Sequence, residues 1–474
     1  MSEMSDFQSF IRGAGLQVKE HQEEGVNWMI ERECNKWQNV QGGIIADEMG
    51  LGKTIMMIAT MTLNSVGNTL IILPLALLQQ WKNEIQKTTG IEPMIYHGAK
   101  KRVTPLAMLK AAPVVLTTYG EIQLSHDEYS TKVPSPVHKV KWGRVVFDEA
   151  HHLRNMKTAK FNGGCNLQAP IRWMITGTPI QNRTTDFFAL CHALGFEDTF
   201  YGKEMELIMK HRMMRRTKAS LGISISKLHD HTIKVAWTDS CERTLAEDIH
   251  APITNFGDGG VIGFADGVDS EVADNRGRKM LLMLRARQMC VLPKMLEKKY
   301  NQYCDEGFIS EDEEDGRDAL EKSSKIDVVM DKVFERKCNG NRKIVFCHYH
   351  KEMDEIKVRC ESKGMSVRTI DGRLKPKEKA VAMMAPWPEV MILQINTCCE
   401  GLNLQEFNEI YFVSPHWNPA VEDQAVARCH RIGQKKDVHV FRFNMEGLDE
   451  STMETSQDGY CKGVQEGKRE LYVY

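Results

Sequence analysis

The chain has 13 cysteines but no two of them in a CxxC spacing, and Cys398 and Cys399 are directly adjacent. Zinc sites and disulfide frameworks usually depend on regularly spaced cysteines. We therefore expect reduced thiols, no bound zinc, and an intracellular protein of the nucleus or the cytoplasm.

Long apolar segments are also missing. The longest apolar run, about residues 70–78, contains Pro74 and is too short to cross a bilayer. The first ten residues have neither the basic nor the apolar region of a secretory signal. We therefore expect a protein that is not secreted and has no membrane partner.

The chain lacks an excess of charge of either sign. Its net charge is −2 and its pI is about 6.8, so a nucleic-acid surface would have to be a local patch. The contents of 42% hydrophobic and 27% charged residues are ordinary for a soluble globular protein. The length of 474 residues predicts two to four domains.

Residues 42–54, GGIIADEMGLGKT, have the layout of a phosphate-binding loop. A short apolar strand leads into a turn with two glycines, and Lys53 and Thr54 then open an apolar helix. In such loops the backbone N–H groups hold phosphates, the lysine reaches the β- and γ-phosphates, and the hydroxyl ligates Mg²⁺. Asp47 departs from the GxxxxGK[ST] template, which has glycine there. The alternative is a glycine-rich turn without a ligand.

Apolar strand candidates alternate with amphipathic stretches, which predicts parallel sheets with helices on both faces. The candidates cover residues 69–73, 114–117, 145–147, 173–176, 343–347, 366–370, 390–395, 409–413 and 438–441. Ligands bind at the C-terminal ends of strands in such sheets. The sequences DEAH at 148–151 and TGTP at 176–179 stand at two of these ends, which makes them site candidates.

Two predicted helices carry further candidates. The helix at residues 16–29 precedes the phosphate loop and contains Gln22, a candidate for reading the adenine edge. On the second helix, predicted at residues 421–430, positions i, i+4 and i+7 of one face hold Gln424, Arg428 and Arg431. The alternative for both helices is an ordinary solvated surface.

The strand pattern fades between about residues 186 and 293. This part contains a basic segment, Lys210–Lys218, and a Gly/Asp-rich stretch at 255–269 that predicts a loop. The acidic run at residues 311–315 is typical of a solvated linker. We place the interdomain junction between about residues 292 and 324.

The order and spacing of several short segments resemble the SWI/SNF-type DNA translocases of helicase superfamily two. The segments are HQEEGVNWM (21–29), DEMGLGKT (47–54), LIILPLALLQQW (70–81), VLTTYGEI (115–122), DEAHHLRN (148–155), TGTPIQN (176–182), LRARQMC (284–290), SSK (323–325), IVFC (344–347), EGLNLQ (400–405), HWNP (416–419) and EDQAVARCHRIGQ (422–434). TGTPIQN, WNP and the last segment are highly specific in combination. An aspartate at position 47 is normal in this family.

The resemblance implies an α/β protein with two RecA-like lobes, whose parallel sheets carry helices on both faces, and with helical protrusions between them. Residues 1–235 would form the first lobe and the first protrusion, residues 236–323 the second protrusion and the acidic linker, and residues 324–474 the second lobe. ATP would lie in the cleft, and double-stranded DNA would lie across both lobes.

The resemblance also implies roles for residues of the first lobe. Thr54 and Asp148 would hold Mg²⁺, and Glu149 would orient and deprotonate the attacking water. The nucleotide would be bound by Gln22, Asp47, Glu48, Met49, Gly50, Leu51, Gly52, Lys53 and Thr54.

In the second lobe, Arg428 and Arg431 would be arginine fingers, and Gln424 would contact the γ-phosphate or the attacking water. Cations placed on a separate lobe make hydrolysis depend on cleft closure. Residues on the DNA side, or residues that couple hydrolysis to DNA, would be Thr117, Thr118, Thr176, Asn403 and Trp417.

The branch of the family that this chain resembles most has larger members with a RING zinc module, which needs about eight Cys/His ligands. Residues 293–343 hold only Cys304 and Cys338, so ubiquitin-ligase activity is not expected. Few residues precede Leu16 or follow Asn444, which predicts a minimal motor without reader modules. Such a motor would be targeted by protein partners, and its size suits a virus, a phage or a bacterium as well as a nucleus.

Two other functions remain as alternatives. A helicase that separates RNA or DNA strands is suggested by DEAH at 148–151, but the TGTPIQN and WNP segments favour a translocase. A non-catalytic scaffold is the second alternative, and the presence of every catalytic residue type named above argues against it. Stimulation of ATPase activity by RNA or by DNA would discriminate between the first alternative and a translocase.

Overall fold

A computed structural model describes residues 6–125, 134–180, 183–254, 275–305, 314–395, 403–448 and 456–470. Contacts divide the chain between Ser224 and Ile225 into two compact units. Each unit has its own parallel sheet, which confirms the predicted α/β class. The following predicted features lie outside the described residues: the loop at 255–269, part of the acidic run at 311–315, Gln181 and Asn182, the Cys398–Cys399 pair, and residues 400–402.

The first unit contains a seven-stranded sheet in which all described neighbours pair in parallel. The strands are β1 (Gln41–Ile45), β2 (Thr69–Leu73), β3 (Met94–Ile95), β4 (Val114–Thr118), β5 (Arg144–Asp148), β6 (Ile171–Ile175) and β7 (Met213–Met214). Their order across the sheet is β3-β4-β2-β5-β6-β1-β7. Strands β2, β4 and β5 are buried along their whole length, as expected for strands covered on both faces.

Helices cover both faces of this first sheet. Alternate residues of a strand point to opposite faces, so Ile44 and Leu70 join one hydrophobic cluster while Ile45 and Ile71 join another. The described helices are α1 (Asp6–Gly13), α2 (Glu20–Cys34), α3 (Lys53–Leu63), α4 (Leu78–Thr89), α5 (Leu106–Ala111), α6 (Ala159–Cys165), α7 (Thr184–Leu194), α8 (Asp198–Tyr201) and α9 (Met205–Arg212), with 3₁₀ turns at Leu75–Leu77, Gly98–Val103, Pro136–Lys139 and Ala150–Leu153.

The second unit contains a six-stranded sheet, again with parallel pairing between its described neighbours. The strands are β8 (Leu228–Val235), β9 (Lys343–Cys347), β10 (Val367–Ile370), β11 (Val390–Gln394), β12 (Glu409–Phe412) and β13 (Val438–Met445). Their order across the sheet is β10-β11-β9-β12-β13-β8.

Helices also cover both faces of the second sheet, because Val345 and Cys347 join one cluster while Ile344 and Phe346 join another. A further apolar cluster packs α10, α11 and α13 against one another. The described helices are α10 (Ser240–Thr254), α11 (Asn275–Val291), α12 (Glu297–Asp305), α13 (Glu314–Glu321), α14 (Ser324–Glu335), α15 (His350–Ser362), α16 (Pro376–Ala382), α17 (Pro419–Cys429) and α18 (Gln457–Glu470), with a 3₁₀ turn at Pro293–Leu296.

Strand β8 belongs to the second unit, whereas the sequence predicted that residues up to 235 belong with the first lobe. All eight of its residues pair with β13, from Leu228 opposite Val438 to Val235 opposite Met445. Its sequence, LHDHTIKV, is mostly polar and mostly exposed, so it lacks the apolar run that marks the other strands. The three-part division of the chain stays a prediction, and the contacts place this strand in the second unit.

No helix within the described ranges combines the length and the apolar character needed to cross a membrane.

Candidate active site

Three strands of the first sheet end at the same level, and the predicted motifs follow them. Ile45 of β1 and Asp148 of β5 are both in register with Ile175 of β6. Neighbouring strands lie about 4.8 Å apart, and β6 lies between the other two. The sheet therefore brings the phosphate loop, Glu149 and Thr176 to one edge.

Two glycines shape the phosphate loop. Gly50 and Gly52 have φ angles of +92° and +93°, which L residues with side chains rarely adopt. A Cβ atom on Gly52 would lie 2.1 Å from Nε2 of Gln22, so the close approach also requires glycine. Helix α3 begins at Lys53, so its first N–H groups lie directly after the turn. This arrangement fits a chain of phosphates.

The Lys53 ammonium contacts the backbone of the loop. Its Nζ donates to the carbonyl oxygen of Asp47 at 2.6 Å and lies 3.4 Å from the carbonyl oxygen of Glu48. A Cβ atom on Gly177 would lie 3.9 Å from the same Nζ, so the Thr176–Gly177 turn approaches the loop too. Charged phosphate oxygens are stronger acceptors than backbone carbonyls. A bound phosphate oxygen would therefore be a better acceptor for the Lys53 ammonium than the carbonyl oxygen that it contacts here.

Gln22 contacts the phosphate loop from helix α2. Its Nε2 donates to the carbonyl oxygen of Leu51 at 3.0 Å, and Nε2 of His21 lies 3.1 Å from the same oxygen. Burial lowers the pKa of His21, which favours the neutral imidazole. Helix α2 begins at Glu20, later than the predicted start at residue 16. The role of Gln22 in reading adenine stays a prediction.

Asp148 and Glu149 form a buried carboxylate pair. Burial, followed by the neighbouring Glu149 carboxylate, raises the pKa of Asp148 to about 7. Oxygen Oδ2 of Asp148 accepts a hydrogen bond from the Trp81 indole at 2.7 Å, and Oδ1 accepts one from the N–H of Glu149 at 3.0 Å. Two desolvated carboxylates repel each other, so a divalent cation beside them is favourable. These oxygen donors fit Mg²⁺.

The backbone of Glu149 and its surroundings fix where this carboxylate lies. Glu149 has a φ angle of +50°, an uncommon conformation for a residue with a side chain, directly before a 3₁₀ turn. Its Oε2 lies 3.4 Å from Nδ1 of His151. The hydroxyl of Tyr119 donates to the carbonyl oxygen of Asp148 at 2.8 Å. Trp81 and Tyr119 stand in the family-like segments at 70–81 and 115–122, but the sequence predicted no role for either residue.

Asp47 and Glu48 form ion pairs that the sequence analysis missed. Arg216 Nη2 lies 2.5 Å from Asp47 Oδ2, and Lys218 Nζ lies 2.8 Å from Glu48 Oε1. Both cations belong to the basic segment Lys210–Lys218, for which the sequence predicted no role. The part of Asp47 and Glu48 in nucleotide binding stays a prediction.

Three predicted DNA-side or coupling residues of the first unit are buried. The Thr117 hydroxyl donates to the carbonyl oxygen of Tyr96 at 2.8 Å, and the Thr118 hydroxyl lies 3.4 Å from Nδ1 of His97. Oγ1 of Thr176 accepts a hydrogen bond from the N–H of Thr178 at 3.2 Å. These contacts within the unit suit coupling better than direct contact with DNA, and both roles stay predictions.

In the second unit, only two of the three polar residues predicted on one helix face are helical. Helix α17 ends at Cys429, so it contains Gln424 and Arg428 but not Arg431, which lies in the turn that follows. The helix therefore ends one residue earlier than predicted. In the turn that follows, the carbonyl oxygen of Ile432 accepts a hydrogen bond from Nε2 of Gln405 at 2.8 Å. Burial and the neighbouring Arg428 lower the pKa of Arg431. The finger roles stay predictions.

The loop before α17 is held by residues that the sequence analysis did not assign. Arg287 of α11 donates to the carbonyl oxygen of Pro415, and its guanidinium carbon lies 5.6 Å from the centre of the Trp417 ring. It also donates to Nε2 of His348 at 2.8 Å, and burial holds the pKa of that imidazole well below its usual value. From α18, Lys468 donates to the carbonyl oxygen of Trp417 at 2.8 Å.

Asn403 and Trp417 are the remaining predicted DNA-side residues. Asn403 is exposed, and its Oδ1 accepts a hydrogen bond from the N–H of Gln405 at 3.4 Å. The Trp417 ring packs edge-on against Tyr460 with 5.9 Å between ring centres. A direct DNA contact by either residue stays a prediction.

A phosphate loop at the end of one parallel strand, with paired carboxylates at the end of another, defines a nucleotide-binding protein of the phosphate-loop class. The chain matches the SNF2-related domain over residues 21–199 and the helicase conserved C-terminal domain over residues 324–433. The chain therefore belongs to the SNF2 family of SWI/SNF-type ATPases, which confirms the resemblance drawn from its motifs.

Relatives of known description cover most of the chain. It is 28% identical to the probable global transactivator of Orgyia pseudotsugata multicapsid polyhedrosis virus, over 95% of this chain and 89% of that protein. It is 26% identical to the ISWI chromatin-remodeling complex ATPase ISW2 of Saccharomyces cerevisiae, over 95% of this chain and 41% of that protein. It is 25% identical to the ATP-dependent DNA helicase DDM1 of Arabidopsis thaliana, over 91% of this chain and 59% of that protein.

The chain thus spans less than two thirds of the length of the yeast and plant relatives. Among solved structures, the SWI2/SNF2 ATPase core of Sulfolobus solfataricus in complex with double-stranded DNA is 20% identical, with a TM-score of 0.41 over 96% of this chain and 97% of that chain.

Proposed function

We propose that this protein is an ATP-dependent motor that hydrolyses ATP to ADP and phosphate while it tracks along double-stranded DNA. The main support is the match of the chain to the SNF2-related domain and to the helicase conserved C-terminal domain, together with a phosphate loop and a carboxylate pair at the ends of two strands that both pair with β6. The descriptions of the yeast and plant relatives, a chromatin-remodeling complex ATPase and a DNA helicase, support DNA as the track.

The first unit would bind and activate the nucleotide. Lys53 and the N–H groups after Gly52 would hold the phosphates, and Glu149 would orient and deprotonate the attacking water. Mg²⁺, held by Thr54 and Asp148, would neutralise charge on the phosphates. Phosphoryl transfer depends mainly on positioning and on electrostatic stabilisation, and exclusion of water from a buried site strengthens the electrostatic part.

The second unit would supply cations to the reaction. We propose that Arg428 and Arg431 stabilise the charge that develops on the transferred phosphoryl group, and that Gln424 contacts the γ-phosphate or the water. Hydrolysis would then require both units to act together, and repeated closure would become stepping along DNA. Targeting would come from protein partners, in a nuclear, cytoplasmic, viral or bacterial setting.

DNA is expected to stimulate the ATPase, and the stimulation should weaken steeply as salt is raised. Contacts to the DNA backbone release counterions, so the logarithm of apparent affinity should fall with a slope of about −0.9 per phosphate neutralised. The measurement is steady-state ATP turnover against duplex concentration at several salt concentrations. Duplexes of unrelated sequence should behave alike, because backbone contacts carry no sequence information.

Duplex RNA and single-stranded RNA serve as matched tracks in the same assay. Stimulation by RNA but not by DNA would favour the helicase alternative. A response that is insensitive to salt, or that depends strongly on base sequence, would count against a translocase.

The protein is expected to displace the third strand of a DNA triplex with ATP, but not to release a strand from a tailed duplex. A motor that grips phosphates needs no strand separation to move, whereas separation needs a wedge at the fork. Within the described residues of the second unit all strand pairs are parallel, so none of them forms a β-hairpin wedge. Both assays use labelled strands and native gels.

Two controls make this test selective: a non-hydrolysable ATP analogue, and the Glu149→Gln variant, neither of which should displace the third strand. Efficient release of the duplex strand would assign the chain to the strand-separating helicases. Failure in both assays with an intact ATPase would mean that coupling requires a protein partner.

A further inference from the structure

The basic segment Lys210–Lys218 has the composition of a nucleic-acid-binding patch, but its residues Arg212 and Arg216 form hydrogen bonds with other residues of the first unit. Arg212 is 1% exposed, and its guanidinium donates to the carbonyl oxygens of Arg32 at 3.1 Å and Asn35 at 2.7 Å. This contact ties the end of α2 to the edge of the first sheet. Arg212 is therefore not available to a DNA backbone.

Arg216 forms several hydrogen bonds with Asp47, the first residue of the DEMGLGKT segment. Its Nε and Nη2 donate to the two carboxylate oxygens of Asp47 at 3.2 and 2.5 Å, and its backbone N–H donates to Oδ1 at 2.9 Å. The Asp47 side chain has no exposed surface, while that of Arg216 is 15% exposed. A two-point contact of this kind fixes the orientation of both side chains.

The next residue of the loop, Glu48, also contacts the basic segment through both its backbone and its side chain. The N–H of Glu48 donates to the carbonyl oxygen of Arg216 at 2.8 Å. The N–H of Lys218 in turn donates to Oε2 of Glu48 at 2.7 Å, and the Lys218 ammonium lies 2.8 Å from Oε1. The segment after β7 thus extends the pairing of β7 with β1 beyond the strands themselves.

Arg216 also contacts helix α2, which packs against the phosphate loop. Its Nη1 donates to the carbonyl oxygen of His21, next to Gln22 on helix α2. A Cβ atom on Gly25 of that helix would lie 2.9 Å from Arg216 Nη2 and 2.5 Å from Met56 Sδ. The glycine therefore leaves room for the guanidinium between α2, α3 and the loop.

Asp47 is the point where these contacts meet the phosphate-binding lysine. Its carboxylate is held by Arg216, and its carbonyl oxygen accepts the hydrogen bond from Lys53. In the proposed function, a phosphate oxygen would replace this carbonyl as the acceptor for Lys53. The Arg216–Asp47 ion pair then remains to hold the start of the loop in place.

We propose that Arg216 is a positioning residue for nucleotide binding, which holds Asp47 and Glu48 in the conformation that lets Lys53 engage phosphate. The inference rests on the proposed function, because it assumes that the loop binds ATP. It gives the basic segment a role in the nucleotide site rather than on the DNA track. Arg216 touches no substrate in this role and acts through the loop.

The test compares Arg216→Gln and Arg216→Lys with the wild-type chain. The Kd of a fluorescent ATP analogue and the KM for ATP should rise about 10- to 100-fold in Arg216→Gln, by analogy with the loss found at metal sites when a residue that orients a metal ligand is removed. The kcat at saturating ATP and DNA should change little. Arg216→Lys should recover part of the affinity, because it restores the charge but not the two-point contact.

Arg215→Gln is the matched control, since Arg215 is the exposed neighbour on the same segment, and it should leave the Kd for ATP unchanged. Thermal unfolding without nucleotide separates positioning from general destabilisation. An unchanged Kd in Arg216→Gln would overturn the inference. So would a rise in Kd accompanied by an equal loss of kcat and a large fall in Tm in both Arg216 variants, since that pattern indicates a structural role. If the wild-type chain failed to bind the analogue, the proposed function itself would be wrong.

Discussion

Replacing Arg428 or Arg431 by alanine is expected to lower kcat by roughly 10³–10⁵-fold, the range known for arginine fingers in phosphoryl transfer. The physical reason is that a guanidinium stabilises charge that develops only in the transition state, so its loss affects turnover more than ground-state binding. The measurement is ATP turnover at saturating ATP and DNA, together with the Kd of a fluorescent ATP analogue. The Kd should change little.

The exposed Lys435, which follows the same turn, offers a matched control: Lys435→Ala removes a nearby cation and should retain turnover. Thermal unfolding of each variant is needed as well, because both arginines are partly buried. Loss of ATP binding with unchanged kcat would place these arginines outside the proposed role. A small effect of Arg431→Ala alone would mean that the turn after α17 does not deliver this side chain to the phosphate.

Glu149→Gln is expected to bind ATP but to lose about 10²–10⁴-fold in turnover, the contribution typical of a general base. Glutamine has nearly the same shape as glutamate and can keep the backbone conformation of Glu149. Its amide cannot accept the proton of the attacking water. The measurement pairs single-turnover hydrolysis with binding of the ATP analogue.

Lys53→Ala provides the contrast for this variant. It removes the ammonium that contacts the loop backbone, and it should abolish turnover together with most of the ATP affinity. Turnover of Glu149→Gln at the wild-type rate would show that another group activates the water. Retention of ATP binding by Lys53→Ala would argue against the phosphate-binding role of the loop.

The central strands could be predicted from the sequence because they are continuous apolar runs. Residues 69–73 and 343–347 match β2 and β9 in full, and both strands are buried along their whole length. Of the four edge strands that the structure describes, only β10 was predicted, at residues 366–370; β3, β7 and β8 could not be predicted in this way. Strands β3 and β7 have two residues each, and β8 is mostly polar, so each is defined by its partner rather than by its own pattern.

Some features of the site could likewise be predicted from local sequence motifs, whereas others depend on long-range contacts. The positions of the phosphate loop and of Asp148 follow from motifs that stand directly after apolar strands. The contacts of Arg216 with Asp47 and of Trp81 with Asp148 join residues far apart in the chain, and no periodicity or spacing marks them. The place of Arg431 on the helix face was not confirmed for a different reason. The i+7 spacing requires helical geometry as far as residue 431, but the helix ends at Cys429.

The pairing of β8 with β13 has a consequence for synthesis of the chain. Residues 228–235 leave the ribosome about 200 residues before their partner strand at 438–445, a delay of roughly 10 to 40 s at ordinary translation rates. During that time the segment has no β13 to bind, and an unpaired strand is a template for aggregation. His229, Asp230 and His231 make this segment hydrophilic and poorly suited to association with other nascent chains. The polar residues that make β8 difficult to recognise in the sequence therefore also disfavour its aggregation before β13 has been synthesised.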